Sequence, residues 1–259
     1  MTDLEARAHR NFCNWTRWNG RTDPGSEIVD DAGMLAIAGA IDFPTSRTAL
    51  RTDSSLPAAR WADAVDEFFT TRGKTASVHT RIGADDDLTE QLLQRGFREW
   101  ATQPEMVCES DVEPRDAPAG ITVRFAESPA DISAYAHIAA EAFAHLHLPP
   151  DACLRAGDRP DAYLAADSVV ALAELDGVPV AGAHVLLFAA DNSAYVAWVS
   201  CTDAARGRGL GDTVTRAVTR EAFRRGADLV TLEASQFGEH TYARMGYREI
   251  YRYRMLLRL

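Results

Sequence analysis

Three glycines within five residues, in Arg206-Gly207-Arg208-Gly209-Leu210-Gly211, separate a strand-like alternation (Ala194 to Cys201) from a helical one (Leu210, Val214, Ala217, Val218, Ala222). A chain turning through glycines from a strand into a helix aims bare N–H groups along the positive end of the helix dipole. Such a junction favours an anion, a phosphate or pyrophosphate above all. Without a ligand, the backbone entropy these glycines lose on folding has no evident structural return.

Two nucleotide loops fit less well. A P-loop requires Gly-Lys-Ser/Thr, which is not in the chain. A Rossmann loop requires Gly-x-Gly-x-x-Gly, and reading from Gly207 puts Asp212 at the third glycine. Glu233 does end the following strand where a ribose-binding acid would sit. Too few residues follow it, however, for the remaining units of a parallel sheet, and the strands before the loop read as hairpins. A Rossmann-type dinucleotide enzyme is therefore the most distant reading.

The surrounding pattern is alternating strand and helix. Ile121, Val123 and Phe125 alternate as a strand, and Ser128-Pro129-Ala130-Asp131 supplies an N-cap, an N1 proline and a capping-box acid for a helix burying Ile132, Tyr135, Ile138 (or Ala139), Ala142 and Phe143. His145 to Asp161 reads as a loop or broken helix. Val169–Leu175 and Val178–Phe188 form a hairpin across Asp176-Gly177, and a turn at Asp191-Asn192 leads into Ala194–Cys201. After the glycine loop come a helix stopped by Gly226, a strand Leu229–Glu233, a short helix Glu239–Met245 stopped by Gly246, and a last strand Tyr247–Leu257.

At 259 residues the chain exceeds one ordinary domain of about 150 residues, and the stretch Glu109 to Gly120, acidic and proline-containing without periodicity, reads as the boundary. Before it, Ile28–Val29 and Met34–Ala38 form a hairpin, Trp61, Val65, Phe68 and Phe69 have helical spacing, Ala76–Arg81 alternates, and Leu88–Arg95 is a short helix. Leu92-x-x-x-Gly96-Phe97 before a strand near Met106 echoes Tyr242-x-x-x-Gly246-Tyr247, a first hint of duplication.

The net charge of −11 argues against nucleic acid or an anionic membrane as the main partner. From Arg206 onward, eleven arginines face six acidic residues, a local +5 that leaves −16 before it. An anionic ligand could thus be held near the C-terminal end. Cys13, Cys108, Cys153 and Cys201 stand singly, as reduced and mostly buried thiols. No basic leader followed by an apolar run opens the chain, and no stretch is apolar enough to span a membrane, so a cytoplasmic location is expected.

The pattern Arg206-x-x-Gly209-x-Gly211, with Tyr242-Ala-Arg-Met-Gly246-Tyr247 downstream and the element order βα(α)βββαβαβ, resembles the GNAT family of N-acetyltransferases over Ile121 to Leu259. The resemblance implies an α/β (α+β) fold with a mixed, mostly antiparallel central sheet flanked by helices. It implies a catalytic domain over 121–259 binding acetyl-CoA as cosubstrate, and over 1–115 a degenerate, GNAT-like domain, an unrelated accessory domain being the other reading. It assigns Val199, Ser200 and Cys201 to the pantetheine arm, Arg206, Gly207, Arg208, Gly209, Leu210, Gly211 and Asp212 to the pyrophosphate, and Ser235 to a polar contact where the family often has Asn. Departures at Cys201, Asp203 and Ala205 fall where contacts are made by backbone.

The implied reaction transfers an acetyl group to a primary amine of a small molecule or peptide. The amine loses a proton and the departing thiolate gains one. Tyr242 occupies the family's position for the acid, and an ordinary phenol near pKa 10 suits a thiolate of similar basicity. Glu233 is the candidate base, with Glu141, Glu174 and relayed water as alternatives. His145 and His147 alternate but have no third ligand in register, so no metal is expected. Leu92 stands where the first half would carry its counterpart of Tyr242, so that half is expected to shape the acceptor cleft. The competing class is a catalytically silent acyl-CoA-binding or sensing module.

Overall fold

A capping box opens the first helix of the computed structural model, which describes residues 2–41, 46–146 and 148–258: the Thr2 hydroxyl accepts the Glu5 N–H, and the Glu5 carboxylate accepts the Thr2 N–H. This helix, α1 (Asp3–Thr22), is absent from the sequence reading. Its inward face mixes Phe12, Cys13 and Trp15 with His9, Asn11 and Asn19, so its apolar periodicity is diluted. Next come β1 (Glu27–Asp31), β2 (Met34–Ala38), β3 (Thr48–Arg51), α2 (Ala58–Thr70), β4 (Ala76–Arg81), α3 (Asp86–Gln94) and β5 (Arg98–Cys108). At four residues, β3 is too short to announce itself in a sequence.

The later elements are β6 (Ile121–Phe125), α4 (Pro129–Phe143), α5 (Pro150–Gly157), α6 (Pro160–Tyr163), β7 (Ser168–Leu175), β8 (Val178–Phe188), β9 (Ser193–Cys201), α7 (Leu210–Arg224), β10 (Leu229–Glu233), α8 (Glu239–Met245) and β11 (Arg248–Arg258). Short-range signals govern their junctions. Ser128 and Asp131 form the expected capping box of α4, and Asp176 (φ 52°) and Gly177 (φ 79°) both adopt the left-handed turn conformation that matches strand twist. His145 to Asp161 is the broken-helix alternative, with prolines opening α5 and α6.

Two units divide the chain: Met1–Glu105 with Glu249–Leu259, and Met106–Arg248. The boundary expected around 115–121 is therefore displaced. The stretch from Glu109 to Gly120 lies within the second unit, because Val112 is buried in its core and arginines grip the polar residues around it. Arg216 donates to the Glu113 carbonyl at 2.9 Å, and Arg248 pairs with Glu109 at 2.6 Å. The last strand, read as part of 121–259, belongs from Glu249 onward to the first unit, where β11 runs antiparallel to β4. A division directly after the first residue of a strand leaves no composition signal.

In the first unit the strand order is β1-β2-β3-β4-β11-β5. Trp61, Val65 and Phe69 of α2 and Leu88 and Leu92 of α3 pack with Ala36, Val78 and Leu256 on one sheet face. In the second unit the order is β10-β9-β8-β7-β6, antiparallel except for the parallel β9–β10 pair. Leu210, Val214, Val218 and Ala222 of α7 seal one sheet face, at the helical spacing read from the sequence. Both units are helix-flanked, and the sheet is mixed and mostly antiparallel. No helix among the described residues is long and apolar enough to cross a membrane.

Candidate active site

Parallel pairing between β9 and β10 joins Ser193 to Leu229, Ala194 to Val230 and Tyr195 to Thr231, then stops although both strands continue. Among the described residues, β9 beyond Tyr195 is not paired with β10, so the backbone groups on that side of the strand that are not otherwise bonded face the wedge, while the other side stays paired with β8 and the Trp198 carbonyl is taken by Tyr135. A bulge accompanies the separation. The β8–β9 register slips between Gly182 and His184, and Trp198 sits at φ 56°. Left-handed backbone costs a non-glycine residue about 1–2 kcal/mol, so the surroundings must hold it. Val199 and Cys201 are half-buried and Ser200 is buried.

Beyond β9, a turn at Asp203–Ala205 leads into the glycine loop. Gly207 (φ 74°) and Gly209 (φ 77°) are left-handed, and a Cβ at either would meet no protein atom within 4 Å. Gly209 is the N-cap of α7, which has no side-chain cap. Among the described residues, no backbone N–H from Gly207 to Asp212 donates a hydrogen bond. Orphan donors, open space and the positive helix end form a cradle for an anion. Arg208 is exposed beside it. Arg206 donates to the Ala142 carbonyl (3.2 Å) and pairs with Asp203 (3.2 Å). The Asp212 carboxylate is engaged by Arg216 at 2.8 Å, so the residue offers an anion its N–H alone.

Glu233 ends β10. Burial pushes its carboxyl up to about 8, into the range where it could exchange protons near neutrality. Tyr242 of α8 is buried, which raises its phenol pKa. Its ring lies against Gly238, where a Cβ would come within 2.6 Å of Cε2, and near Tyr247 at a centroid distance of 6.1 Å. Ser235 accepts the Gly238 and Glu239 N–H groups through its carbonyl, shaping the turn over Tyr242. On α4, the Tyr135 hydroxyl donates to the Trp198 carbonyl at 2.9 Å.

The other base candidates have structural partners. Glu174 holds Arg124 at 2.7 Å across the β6–β7 pair. Glu141 accepts the Asp203 N–H at 2.7 Å, tying the end of α4 to the turn before the glycine loop. His145 joins the same cluster through Asp203 at 2.8 Å. His147 lies outside the described residues, and no group of three metal-ligating side chains converges among those described. Cys13, Cys108 and Cys153 are buried, Cys201 is half-buried, and all are unpaired thiols. The sequence reading missed Tyr135, Gly182 and Trp198 as parts of the site. A glycine inside a strand, the mark of a bulge or close approach, was the available signal.

The first unit has a counterpart of the wedge, but it is closed. Parallel pairing of β3 with β4 ends at Leu50 and His79, and the next carbonyl, that of Arg51, is bonded by His9 Nε2 at 2.8 Å. A carbonyl only accepts, so Nε2 carries the proton and Nδ1 accepts the Tyr253 hydroxyl at 2.7 Å. Burial, then Arg81, lowers the His9 pKa to about 4 and keeps the ring neutral. The loop into α2 contains no glycine, and Pro57 precedes that helix. Leu92 is buried, and Phe97 N–H bonds its carbonyl as Tyr247 N–H bonds that of Tyr242, both at 3.1 Å.

The profile of the acetyltransferase (GNAT) family matches residues 134–247. No curated protein matches the chain by sequence. Among solved structures, a GCN5-related N-acetyltransferase from Kribbella flavida is similar with a TM-score of 0.73 and 22% identity, over 97% of this chain and 94% of that one. A second, from Sphaerobacter thermophilus, has a TM-score of 0.63 and 18% identity, over 100% and 93%. A tandem GNAT protein from the clavulanic acid biosynthesis pathway has a TM-score of 0.61 and 12% identity, over 98% and 96%. At such identities the likeness concerns the fold.

Proposed function

We propose that the second unit, in which residues 134–247 match the profile of the acetyltransferase (GNAT) family, transfers an acetyl group from acetyl-CoA to a primary amine of a small molecule or peptide. The observation that carries this reading is the continuity of β9 beyond Tyr195, where its pairing with β10 ends, with the N–H groups of Gly207 to Asp212, which donate no hydrogen bond among the described residues. An extended arm ending in a pyrophosphate needs that sequence of contacts: strand-like pairing first, then an anion cradle. Bound acetyl-CoA supplies an acyl thioester.

The chain's own residues do the rest. The peptide groups of Val199, Ser200 and Cys201 hold the arm, and Arg206, Gly207, Arg208, Gly209, Leu210, Gly211 and Asp212 hold the pyrophosphate, with Asp212 acting through its N–H. Ser235, in the turn after β10, makes the polar contact to the arm. Glu233 takes the proton of the incoming amine. Tyr242 donates one to the departing sulfur; burial raises its pKa, and the same desolvation raises the basicity of a thiolate formed beside it. The first unit, with His9 in its wedge and Leu92 in the tyrosine's place, holds no coenzyme and serves the acceptor. With its amine substrate, the enzyme works in the cytoplasm.

Thiol release from acetyl-CoA over a broad amine panel, with mass spectrometry of the product, tests the reading. An amine gaining one acetyl group in step with free CoA is the expected result. Acetyl-CoA binding with no turnover on any amine would instead indicate a silent binding module.

A further inference from the structure

We propose that Tyr135 is a positioning residue for the acyl transfer argued above, acting through the Trp198 carbonyl to hold the bulge where β9 leaves β10. The inference rests on that functional reading for its effect on turnover, and on geometry alone for its effect on the strand.

Between the paired positions Gly182–Ser200 and His184–Ala197, β9 carries one more residue than β8, and Trp198 takes up the excess at φ 56°. In that conformation its carbonyl accepts from the Tyr135 hydroxyl at 2.9 Å, and both residues are buried. Tyr135 is fully buried on α4, and burial keeps its phenol protonated and therefore a donor.

Its ring fits only because position 182 is glycine. A Cβ there would lie 2.5 Å from Tyr135 Cδ2 and 2.9 Å from Cε2. Glycine weakens a strand interior, and close approach of this ring supplies the reason for it. The Trp198 indole is packed in turn against Phe143 at a centroid distance of 5.5 Å, and a Cβ at Gly157 would lie 3.3 Å from its Cζ3. Helix α4 thus supplies both Tyr135 and Phe143 to one bulge, immediately before the three residues assigned to the coenzyme arm. A hydroxyl that fixes the turn at Trp198 fixes where the Val199 to Cys201 peptide groups point.

Tyr135→Phe tests the idea, since it keeps the ring over Gly182 and removes only the donor. Three quantities are compared with wild type: kcat at saturating acetyl-CoA with the best amine, the acetyl-CoA Kd, and hydrogen exchange of a peptide spanning 196–202. The expected result is a kcat loss of about 10- to 100-fold, the scale of a small misplacement of reacting groups. The Kd should stay within about threefold, because the phosphate cradle is untouched, and exchange should quicken in 196–202 while α7 is unchanged. Gly182→Ala, which pushes on the same ring, should lower kcat likewise, and the two substitutions should combine less than multiplicatively. Unchanged kcat and exchange in folded Tyr135→Phe would overturn the proposal, as would a global loss of protection together with coenzyme binding. If wild type binds acetyl-CoA but acetylates no amine, the functional reading fails separately and the 196–202 exchange decides this one.

Discussion

Removing one oxygen from Tyr242 separates packing from proton transfer. Tyr242→Phe keeps the ring against Gly238 and Tyr247, and among the described residues the hydroxyl makes no hydrogen bond, so stability and acetyl-CoA affinity should hardly move. The kcat should fall on the order of 10²-fold, the usual scale for a general acid; an unchanged kcat with a good acceptor removes Tyr242 from the chemistry. Glu233 gives a pH test. Its carboxyl must ionise before it can take a proton, so kcat/KM should rise with pH through about 8, and that limb should vanish in Glu233→Gln. The same shift acts on stability. The folded-state pKa lies above the unfolded value of 4.5, so the stabilisation is complete below that value and is lost as pH rises through about 8. The wild-type melting temperature should therefore fall more steeply than that of Glu233→Gln between roughly pH 5 and pH 9; parallel curves would show that Glu233 titrates normally.

At the scale of elements, the legible features were those written in consecutive residues. The Asp176-Gly177 turn, the Ser128/Asp131 capping box and the Leu210 to Ala222 stripe depend on neighbours along the chain, and each formed as its residues dictate. The glycine loop was legible for the same reason, since left-handed Gly207 and Gly209 are local requirements. The β9 bulge was not legible: it needs Tyr135 from α4 and Gly182 from β8, residues that come together only after folding. The α1 helix was missed because half its inward face is polar, bonding groups such as the Arg51 carbonyl. Gly209→Val tests the loop. The site has room for a Cβ, so the unit should fold with the modest strain of a left-handed β-branched residue, about 1–2 kcal/mol. The branched side chain would occupy the phosphates' space and weaken acetyl-CoA binding at least tenfold. A folded variant with wild-type affinity, checked by circular dichroism, would make the loop purely structural.

At the scale of the molecule, the duplication hinted at by Leu92-x-x-x-Gly96-Phe97 and Tyr242-x-x-x-Gly246-Tyr247 recurs as one backbone device, a left-handed glycine ending the helix and an N–H returning five residues to the same carbonyl. The units differ where a ligand would matter. One parallel pair opens toward a glycine-capped helix with undonated N–H groups; the other is met by His9 and leads to Pro57. How the chain divides was hidden, because the division falls inside β5 and directly after the first residue of β11, where no boundary composition marks it. Calorimetric titration of the whole chain with acetyl-CoA tests this asymmetry and the coenzyme assignment together. One site per chain, abolished in Gly209→Val and not reproduced by NADH, is the predicted result; no binding at millimolar acetyl-CoA, two sites per chain, or equal binding of NADH would contradict it.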